Sequence, residues 1–135
     1  MVNFSVDDVR LFLHVLSVSV WVGGQIVLAA LVPVARQAGP EVPRAMARRF
    51  QTVAWPFFVL AVVTGIWNVF EVDMGNRSTS YHITLGIKLL VVAVSGLTAG
   101  IHGMTTNRAV RAITGAASLV AGLAATLFGI MLVTG

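Results

Sequence analysis

The stretch LFLHVLSVSVWVGGQIVLAALVPVA, from Leu11 to Ala35, decides the fold class of this protein. It holds 25 residues without a charged side chain and lies between Arg10 and Arg36. A helix needs roughly 20 apolar residues to cross the hydrocarbon core of a bilayer, so this stretch can span a membrane. Its hydrophobicity is continuous rather than alternating, which excludes a membrane β-strand. Two aspartates precede it instead of the basic residues of a signal peptide, which favours a retained membrane helix.

Three further uncharged runs follow the first. They have 21, 19 and 24 residues and lie at Phe50–Phe70, Leu89–Asn107 and Ala112–Gly135. The 135-residue chain is 57% hydrophobic and 10% charged, against about 45–50% and about 25% in soluble domains. A soluble globule of this size cannot bury so much apolar surface. The sequence therefore predicts an all-α integral membrane protein, with one domain of four transmembrane helices over residues 1–135.

The links between the predicted helices are short. Helices are expected at residues 6–35, 43–72, 81–105 and 108–134, with Ser5 as the N-cap of the first. The connections are marked by turn-forming residues, namely Pro33, Gly39, Pro40 and Pro43 in the first, Gly75, Asn76, Ser78 and Ser80 in the second, and Thr105, Thr106 and Asn107 in the third. Short links between successive spans predict an up–down–up–down, antiparallel four-helix bundle.

Positive charges are unevenly distributed over the connections. The first and third connections and their edges carry six arginines: Arg36, Arg44, Arg48, Arg49, Arg108 and Arg111. The other side has only Arg10 and Arg77, accompanied by acidic residues. Because cytoplasmic loops are enriched in Lys and Arg, we expect a plasma-membrane protein with both termini on the non-cytoplasmic side. The net charge of +4 then reflects loop topology, and no nucleic-acid partner is expected.

Small residues recur at helical spacing in the last two predicted helices. They are Gly96 and Gly100 in the third helix, and Gly115, Ser118, Gly122, Ala125 and Gly129 in the fourth. In lipid, small residues let helix backbones approach closely. We expect them to serve packing within the bundle, with a homodimer through these faces as the alternative.

A few polar residues lie where the bilayer core is expected. His14 in the first helix and Lys88 in the third are at similar depth, and Trp67 and Asn68 of the second helix reach the same level. Burying such groups in lipid costs a few kcal/mol, so they normally face the bundle interior or a ligand. The alternatives are a hydrogen-bonded structural histidine, a lysine that reaches the interface, and a tryptophan of the interfacial belt.

Two more histidines flank the third helix. Tyr81, Lys88, Ser95 and His102 are spaced by seven and form one slowly drifting face of that helix. His82 is expected at the outer mouth and His102 near the inner end, where contact with water is the simpler interpretation. Trp21 shares a face with His14 on the first helix.

The residue types narrow the chemistry. The chain has no cysteine, so thiolate and iron–sulfur chemistry are excluded, and it has no hydrolase or phosphate-binding motif. A planar cofactor needs one or two axial ligands, an apolar slot and cations for its carboxylates. The candidates are His14 and Lys88 as ligands, Trp21, Trp67 and Asn68 as lining residues, and Arg10 or Arg77 for the carboxylates.

Short motifs in this sequence resemble a known family. They are Leu13-His14 through Trp21-Val22-Gly23-Gly24, Arg48-Arg49-Phe50, Val63-Thr64-Gly65-Ile66-Trp67-Asn68, Lys88-Leu89-Leu90 and the small-residue-rich Ala116–Gly135. In this order they resemble the copper resistance protein D family. The pattern is also similar to the HemJ-type protoporphyrinogen oxidases, four-helix membrane proteins associated with heme b. That resemblance implies heme b ligation by His14, with Lys88 at the position of the family's lysine.

Three functions follow as expectations. The first is a heme-b-binding membrane protein with a redox or electron-transfer role, in which oxidoreductase activity of the HemJ kind stays open. The second is copper transport or copper homeostasis, with His14, His82 and His102 and either Met74 or Met104 as ligands. The third is a structural bundle without a cofactor.

Overall fold

The computed structural model describes residues 3–135 and contains only helices and short connections in that range. The elements are α1 (Val6–Val18), a π-helical turn (Ser19–Gly23), α2 (Gly24–Ala38), α3 (Val42–Phe70), α4 (Thr79–Met104) and α5 (Arg108–Thr134). α1, the π-helical turn and α2 are continuous and together form the first helix. With α3, α4 and α5, the described residues thus form four long helices, each long and apolar enough to cross a membrane. The predicted all-α, four-helix membrane class is therefore confirmed, and the helix bounds differ from the expected ones by at most three residues.

Contacts divide the chain into two compact units, an N-terminal unit that ends at Asp73 and a C-terminal unit, Met74–Gly135. Helix starts are encoded locally in both. Ser5 caps α1 as predicted, since its hydroxyl accepts the Asp8 amide while the Asp8 carboxylate accepts the Ser5 amide. Ser78 and Asn107 cap α4 and α5 in the same way, through one amide each.

The first connection is shorter than the sequence predicts. Pro33 lies inside α2 and Pro43 in the first turn of α3, so that only residues 39–41 separate the two helices. Proline is tolerated in a membrane helix because neighbouring groups satisfy the released carbonyl, and it is favoured in a first turn where no amide partner is needed. Gly39 makes the turn with φ of 148°, a conformation that favours glycine.

The N-terminal unit is held by an aromatic cluster. The Trp21 ring packs against Trp55 and Phe58 of α3 at centroid distances of 5.3 and 4.4 Å. On the same side, Gly24 lies so close to the Phe50 ring that a Cβ at position 24 would collide with it. The contacts show that the first helix and α3 run antiparallel, with glycine used where an aromatic ring crosses the backbone.

The C-terminal unit is an antiparallel pair joined by a reciprocal serine contact. The Ser95 hydroxyl of α4 donates to the Ser118 carbonyl of α5, and the Ser118 hydroxyl donates to the Ser95 carbonyl, both at 2.9 Å. Both side chains are almost completely buried. Polar groups facing each other in this way stabilise helix pairs in lipid by about 1 kcal/mol each.

Two of the small residues of α5, both glycines, lie directly against side chains of α4. A Cβ at Gly115 would lie 2.9 Å from His102 Nδ1, and a Cβ at Gly129 would lie 3.2 Å from Lys88 Nζ. These small residues therefore serve packing inside the C-terminal unit. Gly100 of the predicted GxxxG motif has open space around its Cβ position, and the homodimer stays a prediction.

Candidate functional site

The N-terminal unit contains a row of polar side chains between α1 and α3. This polar seam consists of Arg10 and His14 on α1 and Thr64, Asn68 and Glu71 at the end of α3. The residues on each helix are three or four apart, so they share one helix face. On α1, Arg10 precedes His14 by four residues, about 6 Å of helix at 1.5 Å per residue.

The centre of the polar seam is a hydrogen bond between His14 and Thr64. His14 Nδ1 lies 2.9 Å from Thr64 Oγ1, and Thr64 is 2% exposed. The Thr64 hydroxyl donates its single proton to the Leu60 carbonyl at 2.7 Å. Because that proton is already used, Thr64 Oγ1 accepts the proton of His14 Nδ1. This pairing favours the Nδ1–H tautomer of the neutral imidazole, in which the lone pair lies on Nε2.

Gly65 of α3 leaves space for the His14 ring. A Cβ at Gly65 would lie 3.2 Å from His14 Cε1, so the ring lies directly against this glycine. Ser17, one turn further along α1, is completely buried and donates to the Leu13 carbonyl of its own helix. The imidazole is thus oriented by Thr64 and supported by Gly65, as metal-binding histidines are by their hydrogen-bond partners.

Arg10 lies at one end of the polar seam, and only some of its hydrogen-bond donors have acceptors. It is 8% exposed; its Nη2 lies 3.1 Å from Asp7 and its Nη1 lies 3.7 Å from Glu71. Within residues 3–135, buried Arg10 Nε and Nη1 have no hydrogen-bond acceptor. Buried donors normally have partners, and leaving one unsatisfied costs about 1–3 kcal/mol. Arg10 can therefore donate to a bound group.

Asn68 adds a hydrogen-bond acceptor to the polar seam. Its buried Oδ1 has no hydrogen-bond donor in the described part of the chain. It lies one turn from Thr64 and almost one turn from Glu71 on α3. Trp67, by contrast, is 37% exposed and donates from Nε1 to Glu71 at 3.1 Å. The polar seam thus combines an oriented imidazole with unsatisfied donors and an unsatisfied acceptor, while Trp67 lies at its edge.

Trp21 lies deeper in the same unit than the polar seam. It is 6% exposed and belongs to the aromatic cluster with Trp55 and Phe58, beyond buried Ser17. The predicted role as a lining residue of a cofactor slot stays a prediction. What the structure adds is that Trp21 also has a core function in packing the first helix on α3.

Lys88 belongs to the C-terminal unit, so the expected meeting with His14 stays a prediction. Its side chain is half-buried and its ammonium lies against Gly129 of α5. Among residues 3–135, no carboxylate forms an ion pair with Lys88. A glycine beneath the amine leaves space for this long side chain to lie across α5.

The other two histidines form hydrogen bonds to backbone carbonyls. His102 Nδ1 donates to the Arg111 carbonyl at 2.7 Å, and His82 Nε2 donates to the Met74 carbonyl at 3.1 Å. They lie twenty residues apart on one helix, about 30 Å at 1.5 Å per residue, so they cannot share a metal ion. Both histidines stabilise connections of the C-terminal unit.

Arg77 also stabilises a connection. Its guanidinium stacks over the Tyr81 ring, 4.9 Å from the centroid, at the start of α4. Of the two arginines proposed for cofactor carboxylates, Arg10 is therefore the buried one with donors still available, and Arg77 is the exposed one with an aromatic partner.

The arrangement of donors favours one type of ligand over another. No group of three or more His, Asp or Glu side chains that could hold a metal ion occurs in the described residues. A multidentate copper or zinc site made by protein side chains alone needs such a group. A cofactor that brings its own metal ligands needs only an oriented imidazole, which the polar seam supplies.

Two residues that matter here did not stand out as site residues in the sequence. Thr64 lies three and four residues before Trp67 and Asn68 and so shares their helix face, but its pairing with His14 depends on the register between α1 and α3. Gly65 follows it directly, and a glycine next to a buried threonine in a membrane helix is the signal for a close contact.

Comparisons with known proteins identify no relative, since no protein-family model, no curated protein and no solved structure matches the chain. The resemblance to the copper resistance protein D family and to the HemJ-type oxidases therefore stays a prediction.

Proposed function

We propose that this protein binds heme b within the membrane and has a redox or electron-transfer role. The observation that carries the proposal is the His14–Thr64 hydrogen bond, which orients the imidazole ring and favours its Nδ1–H tautomer. An axial heme histidine needs this tautomer and a fixed ring orientation. Bound heme supplies a one-electron couple, and its potential depends on the axial ligand and its hydrogen bonds.

Arg10 fits the carboxylate end of this cofactor as a hydrogen-bond donor. Its Nε and Nη1 lack acceptors, which a propionate supplies. Asp7 and Glu71 already neutralise its charge, since one guanidinium and two carboxylates leave a formal charge of −1. We therefore assign Arg10 a role in orienting the cofactor and a small share of its affinity.

Lys88 is the proposed second ligand or hydrogen-bond partner of the cofactor. A lysine ligates iron only as the neutral amine, so a ligating Lys88 has to release a proton when it binds. As a hydrogen-bond partner it keeps its charge and faces a propionate. The two roles differ in their spectra, because Lys88→Met changes the axial ligation of the iron in the first case and leaves it unchanged in the second.

We also propose the orientation that the arginines favour. The four apolar helices make the chain a multi-pass membrane protein. Placing the arginine-rich first and third connections in the cytoplasm puts both termini, and with them the polar seam, in the outer half of the plasma membrane. A cysteine introduced at Ser78, on the second connection, is then labelled by an impermeant thiol reagent in intact cells, whereas one at Thr106 is protected.

The heme proposal is tested by the absorption spectrum of the protein purified from a heme-replete host. We expect a Soret band at about one heme per chain in the wild type and its loss in His14→Ala. The matched control is His102→Ala, which removes a histidine that binds a backbone carbonyl and should keep the band.

Metal analysis of the same preparation decides between the alternatives. Iron in a one-to-one ratio with porphyrin supports the proposal. Stoichiometric copper without porphyrin favours a copper protein, and a colourless, metal-free protein favours a structural bundle. A Soret band that is identical in wild type and His14→Ala contradicts the assignment of His14.

A further inference from the structure

Four arginines surround the first connection of the N-terminal unit. This arginine cluster consists of Arg36 in the last turn of α2 and Arg44, Arg48 and Arg49 in the first two turns of α3. All four are exposed. Among the described residues, none of these four arginines forms an ion pair with a carboxylate. With Glu41 as the only acidic residue among them, the segment has a formal charge of +3.

Helix length places the cluster at the membrane surface. α3 has 29 residues, about 43 Å at 1.5 Å per residue, whereas the hydrocarbon core is about 30 Å thick. Its uncharged part is Phe50–Phe70, which is sufficient to cross the core. The surplus turns, from Val42 to Arg49, therefore lie at the depth of the lipid headgroups.

The spacing of the arginines suits a phosphate group. Arg44 and Arg48 are four residues apart, so their Cβ atoms are about 6 Å apart on one face, and Arg49 borders that face. Glu41 at the N-cap position makes no side-chain cap, so the positive end of α3 adds to the same field.

The guanidinium groups of the cluster add directional hydrogen bonding to its charge. All four of its cations are arginines, as are eight of the nine Lys and Arg residues of the chain. A guanidinium binds two phosphate oxygens through a planar pair of N–H groups, whereas an ammonium acts as a point charge. We propose that the arginine cluster is a binding site for the headgroup phosphate of an anionic phospholipid. The proposal is independent of heme binding.

The test is lipid binding to the purified full-length protein, measured by native mass spectrometry during titration with phosphatidylglycerol or phosphatidylcholine. Each arginine near an anionic headgroup contributes about fivefold in affinity. We expect the wild type to prefer phosphatidylglycerol, and Arg44→Gln/Arg48→Gln/Arg49→Gln to lose about a hundredfold of that affinity. Arg77→Gln, which removes an arginine stacked on Tyr81 in the other unit, is the matched control and should bind as the wild type does.

A second variant separates phosphate recognition from simple attraction. Arg44→Lys/Arg48→Lys/Arg49→Lys keeps the charge and removes the paired N–H donors. We expect it to bind phosphatidylglycerol with an affinity between those of the wild type and the glutamine variant. Equal binding by the lysine variant and the wild type overturns the proposed site, as does an equal loss in Arg77→Gln.

A competition arm distinguishes the lipid from soluble phosphate. Glycerophosphoglycerol carries the same phosphodiester charge without acyl chains, and we expect it to leave phosphatidylglycerol bound at equal concentration. Displacement of the lipid by an equal concentration of glycerophosphoglycerol shows that a soluble anion is the ligand and overturns the proposal. Circular dichroism of each variant verifies that the helices are intact, because all substituted side chains are exposed.

Discussion

The two units differ in how their buried polar side chains are paired. In the C-terminal unit, polar side chains on facing helices satisfy backbone groups, as the hydroxyls of Ser95 and Ser118 and the imidazole of His102 do. In the polar seam of the N-terminal unit, Arg10 and Asn68 keep buried atoms that no described protein group satisfies. Buried polar groups that only hold helices together tend to be fully paired. The C-terminal contacts are thus fully paired, whereas the proposed function uses the unpaired atoms of the polar seam to bind a ligand.

The largest expected effect is that of Thr64→Val on heme affinity. The substitution keeps the shape of the side chain and removes the acceptor that orients His14. Loss of such a partner typically lowers metal affinity about 10–100-fold, which is what we expect when hemin is titrated into the apoprotein.

The controls for Thr64 come from both units. Thr64→Ser keeps the hydroxyl and should restore the affinity, and Ser118→Ala in the C-terminal unit should leave it unchanged. If Thr64→Val binds hemin like the wild type, Thr64 does not orient an axial ligand.

The next effect is on stability, at Gly115. In Gly115→Ala the new Cβ meets His102 Nδ1 at 2.9 Å, and that ring is held by the Arg111 carbonyl. We expect a loss of about 1–2 kcal/mol in the free energy of unfolding, measured by denaturant titration in detergent. Gly100→Ala, where the Cβ meets open space, is the control and should be neutral or slightly stabilising. Equal stabilities of the two variants contradict the role of His102 as a fixed packing residue.

Ser118→Ala tests the reciprocal serine contact and is expected to cost about 1 kcal/mol of unfolding free energy. It removes the donor to the Ser95 carbonyl and leaves the opposite hydrogen bond in place. Ser19→Ala is the comparison, because that exposed hydroxyl donates only to Val15 of its own helix. A loss in Ser118→Ala no greater than in Ser19→Ala means that the contact adds nothing to helix pairing.

The smallest expected effect is that of Gly129→Ala. Its Cβ meets Lys88 Nζ at 3.2 Å, but the amine is the end of a flexible side chain and can move aside. We expect a loss below about 0.5 kcal/mol in the free energy of unfolding of the apoprotein. Gly86→Ala, on an open face of α4, provides the baseline. A loss as large as that of Gly115→Ala would show that Lys88 is held rigidly, as a ligand or an ion-paired group is.

The sequence predicts what depends on local signals. Uncharged runs of sufficient length located all four helices, and the Ser5 cap followed from the residues at the start of α1. The π-helical turn at Ser19–Gly23 was not predicted, because hydrophobic spacing does not distinguish one inserted residue from a regular helix. The turn shifts the face of α2 relative to α1.

The candidate site was predictable in its residue types and not in its pairings. His14 and Asn68 stood out because polar groups are costly in lipid, and Arg10 was named as a cation for the carboxylates of a planar cofactor. That Thr64 accepts from His14, and that Gly65 lies beneath the ring, depends on how α1 is aligned with α3. A shift of α3 by one residue would turn Thr64 by about 100° away from His14, and nothing in the local sequence reports that alignment.

Replacement of the imidazole by an external ligand tests the central claim most directly. In His14→Gly, we expect the purified protein to lack the heme spectrum and to regain it when hemin is supplied with millimolar imidazole. Because the His14 ring supplies one axial bond in the proposed site, the side chain and the added imidazole should be interchangeable. Heme binding by His14→Gly without imidazole, at wild-type affinity and with a wild-type spectrum, would contradict the assignment of His14.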